Sequence, residues 1–132
     1  MSQENVEVIR RMIERANARD VEGVVALASP DVECFPASEQ PESEAFRGSR
    51  AFAEYMHGWL QAFDQYAIEV SEYIARADYV LAVGRVAARG RESGAEVTAA
   101  DAWLYRVRDG KVVEYRECGT KEKAFEAAGL SE

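Results

Sequence analysis

The stretch VTAADAWLYRVRDGKVVEYRECGT, residues 97–120, decides the fold. Apolar and polar residues alternate on both sides of Asp109-Gly110, and Asp-Gly between two alternating runs is the strongest short-range hairpin signal, because both central positions of a type I′ turn take positive φ. Period-two alternation puts Asp101, Trp103, Tyr105 and Val107 on one face and Ala102, Leu104, Arg106 and Arg108 on the other. Across the turn, Val113, Tyr115, Glu117 and Gly119 form one row and Val112, Glu114, Arg116 and Cys118 the other, in a register that one bulge would shift.

Working outward, two more strand-like segments precede this hairpin, at 66–75 and 79–89, joined through Ala77-Asp78, with a turn at Arg91-Glu92-Ser93-Gly94. Before them lies a third helix, opened by Ser49, with an apolar stripe of Phe52, Tyr55, Met56, Trp59, Leu60 and Phe63. The 36–48 segment, rich in Pro, Ser and Glu, reads as the main mobile loop. A short strand at 32–35 precedes it, entered from a Ser29-Pro30-Asp31 turn. The chain opens with a helix to about Arg19, capped by Ser2 and carrying Val6, Ile9, Met12, Ile13 and Ala16 at helical spacing. Asp20 caps a second, short helix, and Thr120 caps a last one that stops at Gly129. This order predicts an α+β fold: one strongly curved sheet wrapped around helices, with a short C-terminal helix.

At 132 residues the chain reads as a single domain, 1–132, with a globular 48% of hydrophobic residues. A net charge of −8 repels polyanions, so no nucleic-acid partner is expected. The basic clusters at Arg85, Arg89 and Arg91 and at Arg106, Arg108 and Lys111 read as a solvated outer face rather than a phosphate site. Cys34 and Cys118 fit no metal or redox spacing, and His57 is the only histidine, so no metal and no cofactor is expected. Without an apolar leader or a membrane-length apolar run, the reading is a cytoplasmic protein with reduced thiols and no membrane partner.

Two carboxylates near aromatic rings, Glu117 and Asp101, are the candidate acid/base pair, since burial raises a carboxyl pKa toward neutrality and ring walls hold a flat organic substrate. Against this stands the plain alternative of salt-bridged or hydrogen-bonded structural carboxylates. Trp103, Tyr105 and Tyr115 are candidate ligand-lining rings, in competition with simple core filling, which is also the ordinary role of Tyr55, Met56 and Trp59. His57 lies off its helix stripe and reads as solvent-facing.

The opening helix followed by Asp20-Val21-Glu22, the Pro30-Asp31-Val32-Glu33 entry to the first strand, Phe46-Arg47-Gly48, and Val107-Arg108-Asp109-Gly110-Lys111-Val112 resemble the nuclear transport factor 2-like (NTF2-like) superfamily, and within it the SnoaL-like proteins. The resemblance covers nearly the whole chain. It implies a cone-shaped, strongly curved, mainly antiparallel sheet wrapped around three helices with an internal pocket, frequent dimerisation, and activities such as polyketide cyclisation, ketosteroid isomerisation, dehydration or epoxide hydrolysis. The acid that SnoaL-type cyclases place on the last strand maps onto Glu117, while their histidine falls at Trp103. The ketosteroid isomerase aspartate, tyrosine and second acid fall at Cys34, Met12 and either Asp101 or Trp103, so that isomerase activity is not expected. Glu117 and Asp101 thus stand as candidate catalytic residues, with Trp103, Tyr105, Tyr115, Cys34, Met12 and Trp59 as candidate ligand-lining residues. Two readings stay open: an enzyme acting on a small hydrophobic, cyclic molecule, and a non-catalytic binding protein. Either is expected to be a homodimer through the outer sheet face, burying Leu81, Val83 and Leu104.

Overall fold

The computed structural model describes residues 2–37 and 44–131. Among the described residues four helices and six strands follow one another as α1 (Ser2–Asn17), α2 (Val21–Val25), β1 (Ala28–Phe35), β2 (Phe46–Arg47), α3 (Ser49–Ala62), β3 (Phe63–Arg76), β4 (Tyr79–Gly90), β5 (Glu96–Arg108), β6 (Lys111–Glu117) and α4 (Lys121–Ala128). The sheet runs β2-β1-β6-β5-β4-β3, with β1 parallel to β6 and every other pairing antiparallel. The expected α+β cone is the observed architecture.

The hairpin turn forms as its residues require: Asp109 and Gly110 both take positive φ, 51° and 75°. On β6 the register slips by one, since Arg106 faces Glu114 but Val107 faces Val112. Val112 therefore turns inward with Val107, and the alternation that assigned it to the outer row is corrected by this bulge. Beyond the bulge, Tyr115 faces inward as the alternation predicts.

Three local expectations change. Ser29, Pro30 and Asp31 lie inside β1 rather than in a turn, at an irregularity where five residues of β1 advance against two of β6; the missing N–H of Pro30 is tolerated there. Ser49 is the first residue of α3, while Gly48, at φ 101°, occupies the cap position without a side-chain cap. The end of the expected 36–48 loop pairs with β1 as β2, Glu33 opposite Arg47 and Cys34 opposite Phe46; residues 38–43 of that loop lie outside the described residues. Asp20 and Thr120 cap α2 and α4 as read, accepting from the Gly23 and Lys123 backbone N–H groups.

The sheet has two apolar faces. Helices α1 to α3 cover the concave one, where Ile9, Met12 and Ile13 of α1 meet Val32, Val80, Trp103 and Tyr105. Asn17 ties the end of α1 to the edge strand β3: its amide donates to the Ile68 carbonyl (2.9 Å) and accepts from the Ile68 N–H (2.8 Å). This pairing occupies edge groups that would otherwise be free to recruit another strand. The convex face carries α4, whose Ala124 and Phe125 bury Leu81, Ala102 and Leu104. The expected dimer surface is corrected here. Leu81 and Leu104 are fully buried by a helix of their own chain, and Val83 packs beside them.

β3 bends over β4 at a second bulge, between Val70 and Glu72. Gly84 sits beneath the bend, and a Cβ built there would lie 1.9 Å from the Glu69 carbonyl oxygen. Only a residue without a side chain admits so close a backbone approach.

Candidate functional site

Between the concave face and the helices a hollow of about 70 Å³ remains, within about 620 Å³ of space that includes open solvent. Helix α1 contributes Met12, Ile13 and Ala16 to its wall, and α3 contributes Phe52, Tyr55, Met56, Trp59 and Leu60. The strands add Tyr66 and Ile68 from β3, Tyr105 from β5, and Tyr115 and Glu117 from β6. α3 follows directly into β3, so Trp59, Phe63 and Tyr66 gather at their junction, Trp59 stacking on Phe63 with centroids 5.7 Å apart. Deeper in the cone, Tyr115 packs against Phe52 and Tyr105 at 5.9 and 5.5 Å.

Of the expected site residues, Glu117, Tyr105, Tyr115, Met12 and Trp59 meet at this hollow. Asp101, Trp103 and Cys34 lie outside its lining. Asp101 Oδ1 accepts hydrogen bonds from the backbone N–H groups of Ala102 (2.8 Å) and Gly119 (3.1 Å), which fixes the chain where β6 leaves the sheet for α4. That is a structural use of the carboxylate. Trp103, 2% exposed, fills the concave core. Cys34 is fully buried in β1, and burial pushes its thiol up to about 12, so it stays protonated and unreactive at neutral pH.

The phenols of the site are held protonated. Burial raises Tyr66, Tyr105 and Tyr115 above the ordinary tyrosine range, and the charge of Glu117 pushes all three further in the same direction. At neutral pH they are hydrogen-bond donors around one carboxylate. Among the described residues, Glu117 is the only charged side chain lining the hollow.

Tyr55, Met56 and Phe52, read from sequence as core, line the hollow, and Tyr66 joins them from a position where only a strand start was evident. An amphipathic stripe shows which helix face turns inward but not whether the opposite sheet reaches it. A signal for Tyr66 existed in its alternation with Ile68 and Val70, which share the inner face.

His57 is exposed, as read. Most of the basic clusters are ion-paired along the outer face: Arg85 with Glu69, Arg89 with Asp64, and Arg106 and Arg108 with Asp78. The Arg89 hydrogen bonds hold the Asp64 carboxyl below its ordinary range. Among the described residues no group of three or more His, Cys, Asp or Glu is placed to hold a metal ion. No described helix is long and apolar enough to cross a membrane.

Solved structures share this architecture. AclR from Streptomyces galilaeus, a proposed hydroxylase, matches with TM-score 0.77 at 24% identity over 98% of this chain and 83% of its own. An NTF2-like protein from Burkholderia xenovorans LB400 matches at 0.75 and 23% identity, covering 96% of this chain and 97% of that one. TerC, co-crystallised with polyporic acid, matches at 0.78 and 20% identity, covering 93% and 96%. At these identities the likeness shows the fold. No functionally curated protein matches the chain by sequence. The SnoaL-like domain family model matches residues 9–115, a span from the buried face of α1 to Tyr115 at the floor of the hollow, and the chain belongs to that family.

Proposed function

We propose that the cone cavity binds a small, hydrophobic, ring-bearing organic molecule and that Glu117 acts on it as general acid or base, in isomerase-, cyclase- or hydrolase-type chemistry. The observation that carries this reading is a single carboxylate set among phenols in an otherwise apolar hollow. A carboxylate so placed removes a proton from carbon beside a carbonyl, and negative charge then develops on the carbonyl oxygen. The protonated phenols of the same cavity are the donors available to that oxygen, in a setting with little water to compete. Returning the proton to another carbon isomerises the ring, and attack of the enolate on a second carbonyl closes one.

The test is exchange of the α-hydrogens of small ring ketones with D2O, followed by proton NMR. Wild type should accelerate exchange, and Glu117→Gln should slow the catalysed rate roughly 10²-fold. Exchange that is unchanged by the substitution removes Glu117 from the mechanism.

A second reading, a protein that holds such a molecule without altering it, is favoured by Asp101, whose oxygen is already engaged by two backbone donors away from the lining. In that case ligands raise the melting temperature in proportion to occupancy and are recovered intact. A homodimer belongs to either reading, but through a surface other than Leu81 and Leu104; sedimentation at micromolar concentration tests it. The free thiols Cys34 and Cys118 fit the cytoplasmic setting expected from the sequence.

A further inference from the structure

The two outer strands of the sheet are guarded, and one stretch inside it is not. At one end β2 is two residues long, and at the other Asn17 occupies the Ile68 N–H and carbonyl of β3. Short edge strands and covered edge groups both discourage recruitment of another strand. β5, by contrast, outruns β6. It pairs with β4 from Glu96 to Arg106, whereas β6 pairs with it only from Trp103 onward. Among the described residues no strand lies beside 96–101 on that side, and residues 96–100 are exposed. Bonds at both ends of the segment give the backbone directions. Ala95 accepts from Gly90 and Val107 donates to Asp78, so odd-numbered residues of β5 turn their groups toward β4, while the Ala102 carbonyl accepts from Cys118 and Gly119 on the other side. The ladder with β4 has no register shift from 96 to 106, so alternation turns the N–H and C=O groups of Glu96, Thr98 and Ala100 outward.

The devices that blunt an edge are missing here. Val97, Thr98, Ala99 and Ala100 carry no charge and no proline, and no bulge bends them away. Val97, 50% exposed, is the one large apolar side chain left exposed among the described residues. A strand added at this edge continues the line of β6 and must stop short of Cys118, which is bonded to Ala102. An antiparallel copy of the same segment meets that limit with Val97 on the two-fold axis. Glu96 of each copy then exchanges both backbone hydrogen bonds with Thr98 of the other, and Val97 faces Val97 as a non-hydrogen-bonded pair, where side chains come closest. The turn of the second copy, at its Gly94, falls opposite Ala100, short of Gly119. Registers shifted toward Ala102 run into Cys118. No acid stands directly opposite an acid, and each Glu96 lies beside Arg89 of its own β4.

We infer that two copies of this chain join edge to edge through residues 96–98 of β5, antiparallel about Val97, so that the sheet runs on from one copy into the other. This rests on the reading of the chain as a homodimer and names the surface that makes it. The contact is isologous, so it closes at two copies. It uses neither α4 nor the residues that line the hollow. Being short and made largely by backbone, it fits a weak dimer of micromolar affinity.

Amide hydrogen exchange of the wild-type chain by NMR, at concentrations from about 20 to about 500 µM and alongside sedimentation velocity, tests it without any substitution. The Glu96 and Thr98 N–H groups should gain protection as the dimer forms, while those of Val97 and Ala99, which face β4, keep theirs. Thr98→Pro removes an outward N–H that β4 does not use, and Val97→Lys sets like charges opposite each other at an exposed position that the fold does not need. Each should weaken dimerisation roughly tenfold or more. If the proline variant fails to fold by circular dichroism, Val97→Lys gives the same reading. A dimer that forms with no added protection at Glu96 and Thr98, or that Val97→Lys leaves unchanged, overturns the edge pairing and leaves a homodimer through another surface. A chain that stays monomeric at every concentration overturns both.

Discussion

Replacing Gly84 by alanine tests the bend that shapes the cone. The new Cβ would lie 1.9 Å from the Glu69 carbonyl oxygen and 2.9 Å from both the Glu69 carbonyl carbon and the Val70 Cα. All three are backbone atoms, so no side chain can swing aside. The bulged segment of β3 must retreat by well over an ångström, which disturbs the ladder on both sides of Val70 and Glu72. Overpacking of this kind costs about 3 kcal/mol. For a domain of this length that lowers the melting temperature by roughly 10 °C. The internal control is Gly58→Ala: Gly58 lies in α3 with nothing within 4 Å of its built Cβ, so the substitution should stabilise by about 1 kcal/mol. Thermal unfolding by circular dichroism, with urea titrations for the free energies, reads both. If Gly84→Ala melts within a degree of wild type, the close approach is absent and the bend has another origin.

Asp101→Ala should cost about 1–3 kcal/mol by leaving the Ala102 and Gly119 N–H groups without their acceptor, and Asp101→Asn, which keeps an oxygen, distinctly less; equal losses in urea titrations contradict the assigned role. Phe125→Ala should cost about 3 kcal/mol and uncover the apolar surface at Leu81 and Leu104, so the variant should form larger assemblies in sedimentation than wild type does under the same conditions. The buried Cys34 thiol has a folded pKa near 12 against an ordinary value near 9, so the folded state holds its proton more tightly than the unfolded one. Its contribution is complete below about pH 9 and is lost as pH rises toward 12, by at most about 1.4 kcal/mol per unit. Urea titrations between pH 8 and 10 should therefore show a shallower decline in Cys34→Ala than in wild type, and identical slopes would refute the burial argument.

The helices, the hairpins and the cone were legible because periodicity and turn chemistry are local. Asp109-Gly110 needs nothing beyond its own backbone preferences, and Thr120 and Gly129 bound α4 by capping chemistry alone. The inward turn of Val112 was not legible, since a bulge depends on how two strands settle against each other. Nor was the covering of Leu81 and Leu104. Their outward parity is legible in the alternation, but α4 reaches them only through the tertiary path of the chain. At the candidate site, parity selected Glu117, Tyr105 and Tyr115 together with Asp101 and Trp103, yet only the first three line the hollow. A shared face does not decide which side chains reach the hollow: Trp103, directly opposite Glu117 on the ladder, is packed into the concave core, and Asp101 falls where the chain leaves the sheet and its backbone needs an acceptor. Gly84, a lone glycine inside a strand, carried a readable sign of close backbone approach.

The most direct measurement is a crystal structure of the protein soaked with single-ring compounds at tens of millimolar. The account predicts ligand density between α3 and β6, in contact with Glu117 and bounded by Tyr66, Tyr105 and Tyr115. A Glu117 carboxylate directed away from the hollow, or a hollow left empty while the same compounds bind elsewhere on the chain, would contradict it.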